Sequence, residues 1–316
     1  MSNATAPLGS VLNISHKDCF DGLVSAWVVH RWAIECGYSY EVLYWDYRDY
    51  LPDVELFHDR IVIITDFSWP VDYMLKIASV AKQLCVFDHH ESAEKNFIGI
   101  DFSEDCCPTN VVFDHSRSGA GIAWHQLWAN HEMPPIVQAA QDHDLWKFEH
   151  ETTEPIMAYL GMLGLSFSSV DAIHENWDSA VKGGQLLVKK DNQMVDWHLK
   201  MVEYLDLDFF YPGLLIPVVN APRYIANKVA DRLTDRYCLV VMYEDYAGYR
   251  KGSFRTNGNR GLNAAEFAAM FNGAGNPKAA GCSFSKDKST IAQLLGNPAF
   301  ISKLLTVNPS VPKEGQ

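Results

Sequence analysis

Three short apolar runs early in the chain each end in carboxylates or imidazoles. Val11-Leu12-Asn13-Ile14-Ser15 runs into His16, Asp18 and Asp21, and Ile61-Val62-Ile63-Ile64-Thr65 closes on Asp66. Leu84-Cys85-Val86-Phe87 closes on Asp88-His89-His90. Short apolar runs bounded by polar residues read as buried strands. Between them lie helical stretches, Leu23 to Ile34 and one starting near Pro70, while Tyr40 to Tyr47 alternates as a further strand. Strands alternating with helices predict a parallel sheet with helices on both faces. In such open sheets ligands bind at the C-terminal edge of the strands, which is where these polar residues fall.

Farther along, Val111 to Asp114 reads as a strand and Gly119 to Asn130 as a helix. Pro134-Pro135 opens a helix that ends in Gln141-Asp142-His143-Asp144. Ser179 to Leu205 reads as one long linking helix. A composition shift near Tyr211-Pro212-Gly213 introduces a second α/β pattern: strands from Leu214, Tyr237, Arg250 and Gly281, with helices from Tyr224 and Leu262. The expected organisation is a catalytic domain over 1–177, a helical linker over 178–210, a smaller α/β domain over 211–308 and a tail over 309–316. At 316 residues the chain exceeds what one core usually serves.

The net charge of −13 argues against a protein that grips long duplexes through many phosphates. Seven cysteines without a C-x-x-C spacing support neither a zinc knuckle nor a disulfide framework. A reducing cytoplasm is the expected compartment. The first residues carry no basic-then-apolar leader, and no run approaches the ~20 apolar residues of a membrane span.

One or two acids at strand ends are ordinary turn or cap residues. Four clusters, counting Asp142 and Asp144, form a carboxylate density that repels itself unless cations neutralise it. Oxygen and imidazole donors suit Mn²⁺, Mg²⁺ or Fe²⁺ better than structural zinc. There are enough ligands for two ions ~3.5–4 Å apart, which can clamp a phosphoryl group and hold a hydroxide in line for attack on phosphorus.

On these residues the chain resembles the DHH family of phosphoesterases. The family's first motif, His-x-Asp-x-Asp-Gly, is met by His16, Asp18, Asp21 and Gly22, its second by Asp66 and its third by Asp88-His89-His90. Asp144 best meets the fourth, an Asp after a helix, with Asp142 as competitor. The resemblance implies a parallel-sheet DHH domain plus a smaller α/β substrate domain, working as a hydrolase on phosphoester bonds. It implies that His16, an acid of the first loop and Asp66 hold one metal, and that Asp21, Asp66, His89 and Asp144 hold the other. His90 would contact the scissile phosphate and Asp88 would orient the histidines.

The first motif carries one extra residue. Asp18 keeps the family spacing from His16, whereas Cys19 keeps it from Asp21, so either can face the metal; Asp18 is taken as the ligand. The second domain resembles the DHH-associated substrate domain, whose signature Gly-Gly-His-x-x-Ala-Ala-Gly reads here as Ala274-Gly275-Asn276-Pro277-Lys278-Ala279-Ala280-Gly281. Arg255, Gly275, Asn276 and Lys278 are its candidate substrate-binding residues, with Asn276 in the place of the family's histidine.

The resulting expectation is a phosphodiesterase with two divalent ions, Mn²⁺ foremost and Mg²⁺ or Fe²⁺ as alternatives. Its substrate would be a short single-stranded oligonucleotide or small nucleotide, held in the cleft between the domains. The competing expectations are a nucleotide bisphosphate phosphatase or pyrophosphatase, and a catalytically weak nucleotide-binding module. A homodimer stays open, and no membrane partner is expected. Trp27, Trp32, Trp124 and Trp128 read as core, whereas Trp69 and Trp146, beside metal motifs, are candidates to stack on a base.

Overall fold

The structure is a computed structural model that describes residues 8–46, 49–102, 106–206, 215–258 and 262–285. It divides into two compact units, Met1–Val188 and Lys189–Gln316.

The first unit is built on a parallel five-stranded sheet in the order β2-β1-β3-β4-β5. The strands are β1 (Ser10–His16), β2 (Ser39–Trp45), β3 (Ile61–Thr65), β4 (Gln83–Asp88) and β5 (Thr109–Phe113). Side chains of a strand alternate between faces, and the two cores follow that alternation. Val11, Ile61, Ile63, Cys85 and Phe87 enter one core, with helices α1 (Phe20–Glu35), α4 (Gly119–Leu127) and α5 (Pro135–Asp144). Leu12, Ile14, Val62, Ile64, Leu84 and Val86 enter the opposite core, with α2 (Val71–Val80). Because both faces are covered, the central strands are apolar throughout.

One exception lies on the α1 side. Asn13, Ser15, Ser25 and Thr65 form a fully buried polar seam. Asn13 Nδ2 donates to the Ile63 carbonyl at 2.8 Å, and Ser15 Oγ donates to the Gly22 carbonyl at 2.6 Å. Ser25 Oγ donates to Thr65 Oγ1 at 3.1 Å. The seam ties the ends of β1 and β3 to the first turn of α1, where the candidate ligands emerge. Buried hydroxyls and amides with partners rigidify an arrangement that apolar contacts alone would leave free to slide.

Beyond α5 the unit is helical, with α3 (Glu91–Phe97) earlier in the chain and α6 (Thr153–Leu163), α7 (Phe167–Glu175) and α8 (Trp177–Leu199) following. The linking helix expected over 179–205 is α8, and it ends sooner. Glu203–Asp206 instead forms β6, pairing antiparallel with β7 (Leu215–Asn220). The stretch from Glu203 to Asp206 satisfies its backbone in the ladder. The boundary between the units falls inside α8: Ala180 packs in the first unit's core and Val195 in the second's. Tyr211-Pro212-Gly213, the start of the expected second domain, and the tail over 309–316 lie outside the described residues.

The second unit carries a six-stranded mixed sheet in the order β10-β11-β9-β8-β7-β6. Its further elements are α9 (Arg223–Thr234), β8 (Leu239–Asp245), β9 (Tyr249–Thr256), α10 (Ala264–Ala269), β10 (Ala274–Gly275) and β11 (Ala279–Ser285). Only β7 and β8 run parallel; the other pairs are antiparallel. Among the described residues, no helix is long and apolar enough to cross a membrane.

Candidate functional site

The ends of β1, β3 and β4 bring their polar residues to one place, as parallel neighbours in register must. His16 ends β1, Asp66 follows β3 directly, and Asp88-His89-His90 closes β4. Asp66 sits in the left-handed region at φ +54°, where its backbone N–H donates to the Phe87 carbonyl at 2.9 Å. Aspartate tolerates this conformation better than most residues. The start of α4 presses against it: a Cβ on Gly119 would lie 2.5 Å from Asp66 Cβ and 2.7 Å from its Cα. Only glycine allows that approach. It carries the backbone N–H of Ala120 to 3.3 Å from both oxygens of Asp21. Gly22 does the same for α1, since a Cβ there would meet the His16 carbonyl oxygen at 2.2 Å.

The donors overlap as three triads, each with its ligand atoms within 4.8 Å of one another. They are His16, Cys19 and Asp66; Asp66, His89 and His90; and Asp21, His89 and Asp144. Asp66 and His89 are each shared by two triads. His89 Nε2 lies 3.2 Å from both Asp66 Oδ1 and Asp144 Oδ2, and His16 Nδ1 lies 3.6 Å from Asp66 Oδ2. Asp66 is only 1% exposed and Asp21 equally so.

Asp18 stands apart from this grouping. It is exposed, with φ at +54°, and it belongs to none of the three triads. Next to this left-handed residue, Cys19 is the first-loop side chain that lies with His16 and Asp66. Asp144 joins Asp21 and His89, while Asp142 serves the fold. Asp142 accepts from the Glu149 N–H at 2.9 Å, the His150 N–H at 3.2 Å and the Thr153 hydroxyl, closing the loop after α5.

Asp88 is fully buried beneath the histidines. One of its oxygens lies 2.7 Å from His90 Nδ1 and accepts from the His89 N–H at 2.8 Å, while the other accepts from Ser68 Oγ at 2.7 Å. Burial pushes this carboxyl up, but His90 and Ser68 outweigh it and hold it below the ordinary carboxylate range. It is thus an anion that fixes the His90 ring.

The electrostatics describe a site short of positive charge. Burial, with Asp66 and Asp144 alongside, pushes the Asp21 carboxyl well up. Burial and Asp66 raise Asp144. Burial would raise Asp66 too, but the His16 and His89 rings overcome it and hold it low. His89 loses basicity to burial yet is pushed to about 9 by Asp66, Asp144 and Asp21. Burial, Asp66 and Asp21 push the Cys19 thiol upward. Asp66 Oδ2 and Asp144 Oδ2 are buried without a hydrogen-bond partner. Each has an imidazole nitrogen nearby but no hydrogen bond to it, which is costly for a buried acceptor, and a dication would satisfy both. The donor set therefore fits divalent metal.

The second unit has a cavity of about 610 Å³ on its sheet. Arg255 lines it together with Arg223, Asn227, Lys251, Ser253 and Gly273. Arg255 Nη2 donates to Asn227 Oδ1 at 3.0 Å, and Nη1 donates to the Phe254 carbonyl at 3.1 Å and to Ser253 Oγ. Gly275, Asn276 and Lys278 do not line it; they form the exposed β10–β11 hairpin. A Cβ on Gly275 would lie 2.4 Å from Ala280 Cα, so the glycine is needed for hairpin closure.

The aromatic candidates separate as well. Trp69 is 4% exposed and packs among Trp45, Phe57, Phe67 and Tyr73, so it is core rather than a stacking surface. Trp146 is 67% exposed at φ +55°, two residues after Asp144. Sequence reasoning missed Ser68, Gly119 and Ala120, none of which has metal-ligand chemistry. The small residues that open α4 were the available sign of a close approach.

No family model matches the sequence. An uncharacterised protein of Acanthamoeba polyphaga mimivirus is 24% identical over 300 residues, 87% of this chain and 68% of the relative. The pGpG-specific phosphodiesterase PggH of Vibrio cholerae aligns at a TM-score of 0.56, covering 95% of this chain and all of that one at 14% identity. Exonuclease RecJ bound to manganese aligns at 0.51, covering 96% of this chain and 91% of its own at 15% identity. The chain shares the fold of these two proteins. In that fold, Asp88-His89-His90 of this chain stands at the tip of β4, next to Asp66 after β3.

Proposed function

We propose that this chain is a metal-dependent phosphodiesterase that hydrolyses short oligonucleotides or small nucleotides. The observation that carries the reading is the overlap of the three donor triads through Asp66 and His89, with two buried carboxylate oxygens left without a hydrogen bond. His16 and Asp66 with a donor of the first loop would hold one divalent ion. Asp21, Asp66, His89 and Asp144 would hold the second, with Asp66 common to both. Mn²⁺ is the favoured metal, with Mg²⁺ or Fe²⁺ as alternatives, and the pair supplies Lewis acidity toward a phosphoryl group when bound.

The remaining chemistry belongs to the chain. Asp88 Oδ1, 2.7 Å from His90 Nδ1, would orient the ring so that Nε2 is free to meet the phosphate. A ring fixed in this way costs little reorganisation as charge develops on the phosphoryl oxygens. Gly119 and Ala120 hold Asp21 in place through the α4 N-terminus. Arg255 presents a guanidinium in a cavity of nucleotide size, suited to an anionic part of the substrate. The fold shared with PggH and RecJ, one titled a pGpG-specific phosphodiesterase and the other an exonuclease bound to manganese, supports this class of reaction.

The test is hydrolysis with added Mn²⁺ of labelled dinucleotides, five-nucleotide RNA and DNA, a nucleoside bisphosphate and pyrophosphate. Release of nucleoside monophosphate from the short oligomers, lost in Asp66→Ala, is the expected result. Turnover confined to bisphosphate or pyrophosphate would replace this reading with a phosphatase. No turnover with any of the three metals would leave a binding module.

A further inference from the structure

The first loop departs from a plain oxygen-and-imidazole site at one atom. Cys19 sits at the N-cap of α1 in extended conformation, a position where serine, threonine, aspartate or asparagine would normally bond the helix amides. Its side chain makes no such cap bond. Its sulfur instead lies within 4.8 Å of a ring nitrogen of His16 and a carboxylate oxygen of Asp66. Ligand atoms of one ion bonded at ~2.0–2.3 Å lie up to about 4.6 Å apart, close to the bound on these three atoms, so a small inward adjustment would let them share an ion. A second observation points to the same place: Asp66, nearly fully buried, ends in an oxygen with no hydrogen-bond partner. Asp18, the oxygen donor that could have served instead, is exposed on the left-handed turn.

We propose that Cys19 is a thiolate ligand, completing with His16 and Asp66 a metal position that prefers softer divalent ions than the neighbouring position does. The inference rests on the reading of this pocket as a metal centre. The donors of the two positions differ: nitrogen and sulfur from His16 and Cys19 beside Asp66 on one side, and nitrogen and oxygens from His89, Asp21 and Asp144 on the other; Asp66 would be common to both. Thiolate selects zinc-like and softer ions, whereas carboxylate-rich sets accept Mg²⁺ and Mn²⁺. The centre would hold two ions of unlike character. Binding at the sulfur position releases the thiol proton to solvent, because the thiolate is the ligand.

The experiment loads the purified full-length protein with Co²⁺ and records its absorption spectrum. Wild type and Asp18→Asn should show a near-ultraviolet sulfur-to-cobalt charge-transfer band, absent from Cys19→Ser and Cys19→Ala. Circular dichroism of each variant checks the fold. Competition of Cd²⁺ against Mg²⁺ should show Cys19→Ser weakening Cd²⁺ at least as much as the ~10–100-fold cost of losing an outer-shell partner, with Mg²⁺ little changed. Cobalt uptake without the sulfur band, or a band that survives in Cys19→Ala, would overturn the thiolate ligand and leave the metal centre standing. Failure of wild type to take up Co²⁺ would overturn both.

Discussion

The two sheets expose polar chemistry in different ways. On the parallel sheet of the first unit, His16, Asp66 and Asp88-His89-His90 stand at or just beyond strand ends, where a change of direction frees the side chains from the ladder. On the mixed sheet of the second unit, Lys251, Ser253 and Arg255 come from the body of β9 at alternate positions, so they share one face. They are joined there by Asn227 of α9 and by Gly273, beyond α10. A strand-end site is fixed by where strands stop. A strand-body site is fixed by register and by which helix crosses the sheet.

That contrast can be broken from either side. The largest structural effect is expected from Gly119→Ala, whose Cβ has no room against the Asp66 backbone. Overpacking of this kind costs ~1–3 kcal/mol, and it should also withdraw the Ala120 amide from Asp21. Thermal melting should fall and Mn²⁺ affinity should fall with it. A variant as stable and as metal-tight as wild type would show that the strand-end geometry is not held by α4.

A smaller effect separates two residues of the second unit. Arg255→Ala removes a guanidinium that three oxygens hold in the cavity. Loss of a charged hydrogen bond is worth ~1.5–3 kcal/mol, and KM should rise roughly tenfold or more with kcat nearly held, the pattern of lost uniform binding. Asn276→Ala, in an exposed hairpin, should leave KM unchanged and shift stability by no more than about 0.5 kcal/mol. Reversed roles, with Asn276 decisive and Arg255 silent, would move the recognition surface from the cavity to the hairpin.

The same contrast explains how far the molecule could be read from its residues. The parallel sheet, its apolar strands and the gathering of His16, Asp66 and His89 follow from local rules, whereas Asp21 on α1 and Asp144, rather than Asp142, at the end of α5 were expected from the family resemblance. A buried strand is apolar, parallel strands stop together, and ligands collect where they stop. Spacing alone does not separate Asp18 from Cys19, because the left-handed backbone at Asp18, with its side chain exposed and Cys19 near His16 and Asp66, is a tertiary feature. The buried seam of Asn13, Ser15, Ser25 and Thr65 was hidden too, since each polar residue finds its partner on another element. Trp69 lies next in sequence to Ser68, which bonds Asp88, yet its ring points into the core. In the second unit, Gly275 and Asn276 carried motif spacing, but they sit at the exposed turn of the hairpin, while the cavity is lined by residues of α9, β8, β9 and the body of β11.

The measurement that bears most directly on the metal centre is the number of Mn²⁺ ions bound per chain, by calorimetry, in wild type and Asp66→Ala. A carboxylate common to two positions predicts about two ions in wild type and collapse of both sites in Asp66→Ala, with an unchanged circular dichroism spectrum. Equal uptake by the two proteins, or none by wild type, would contradict the shared metal centre.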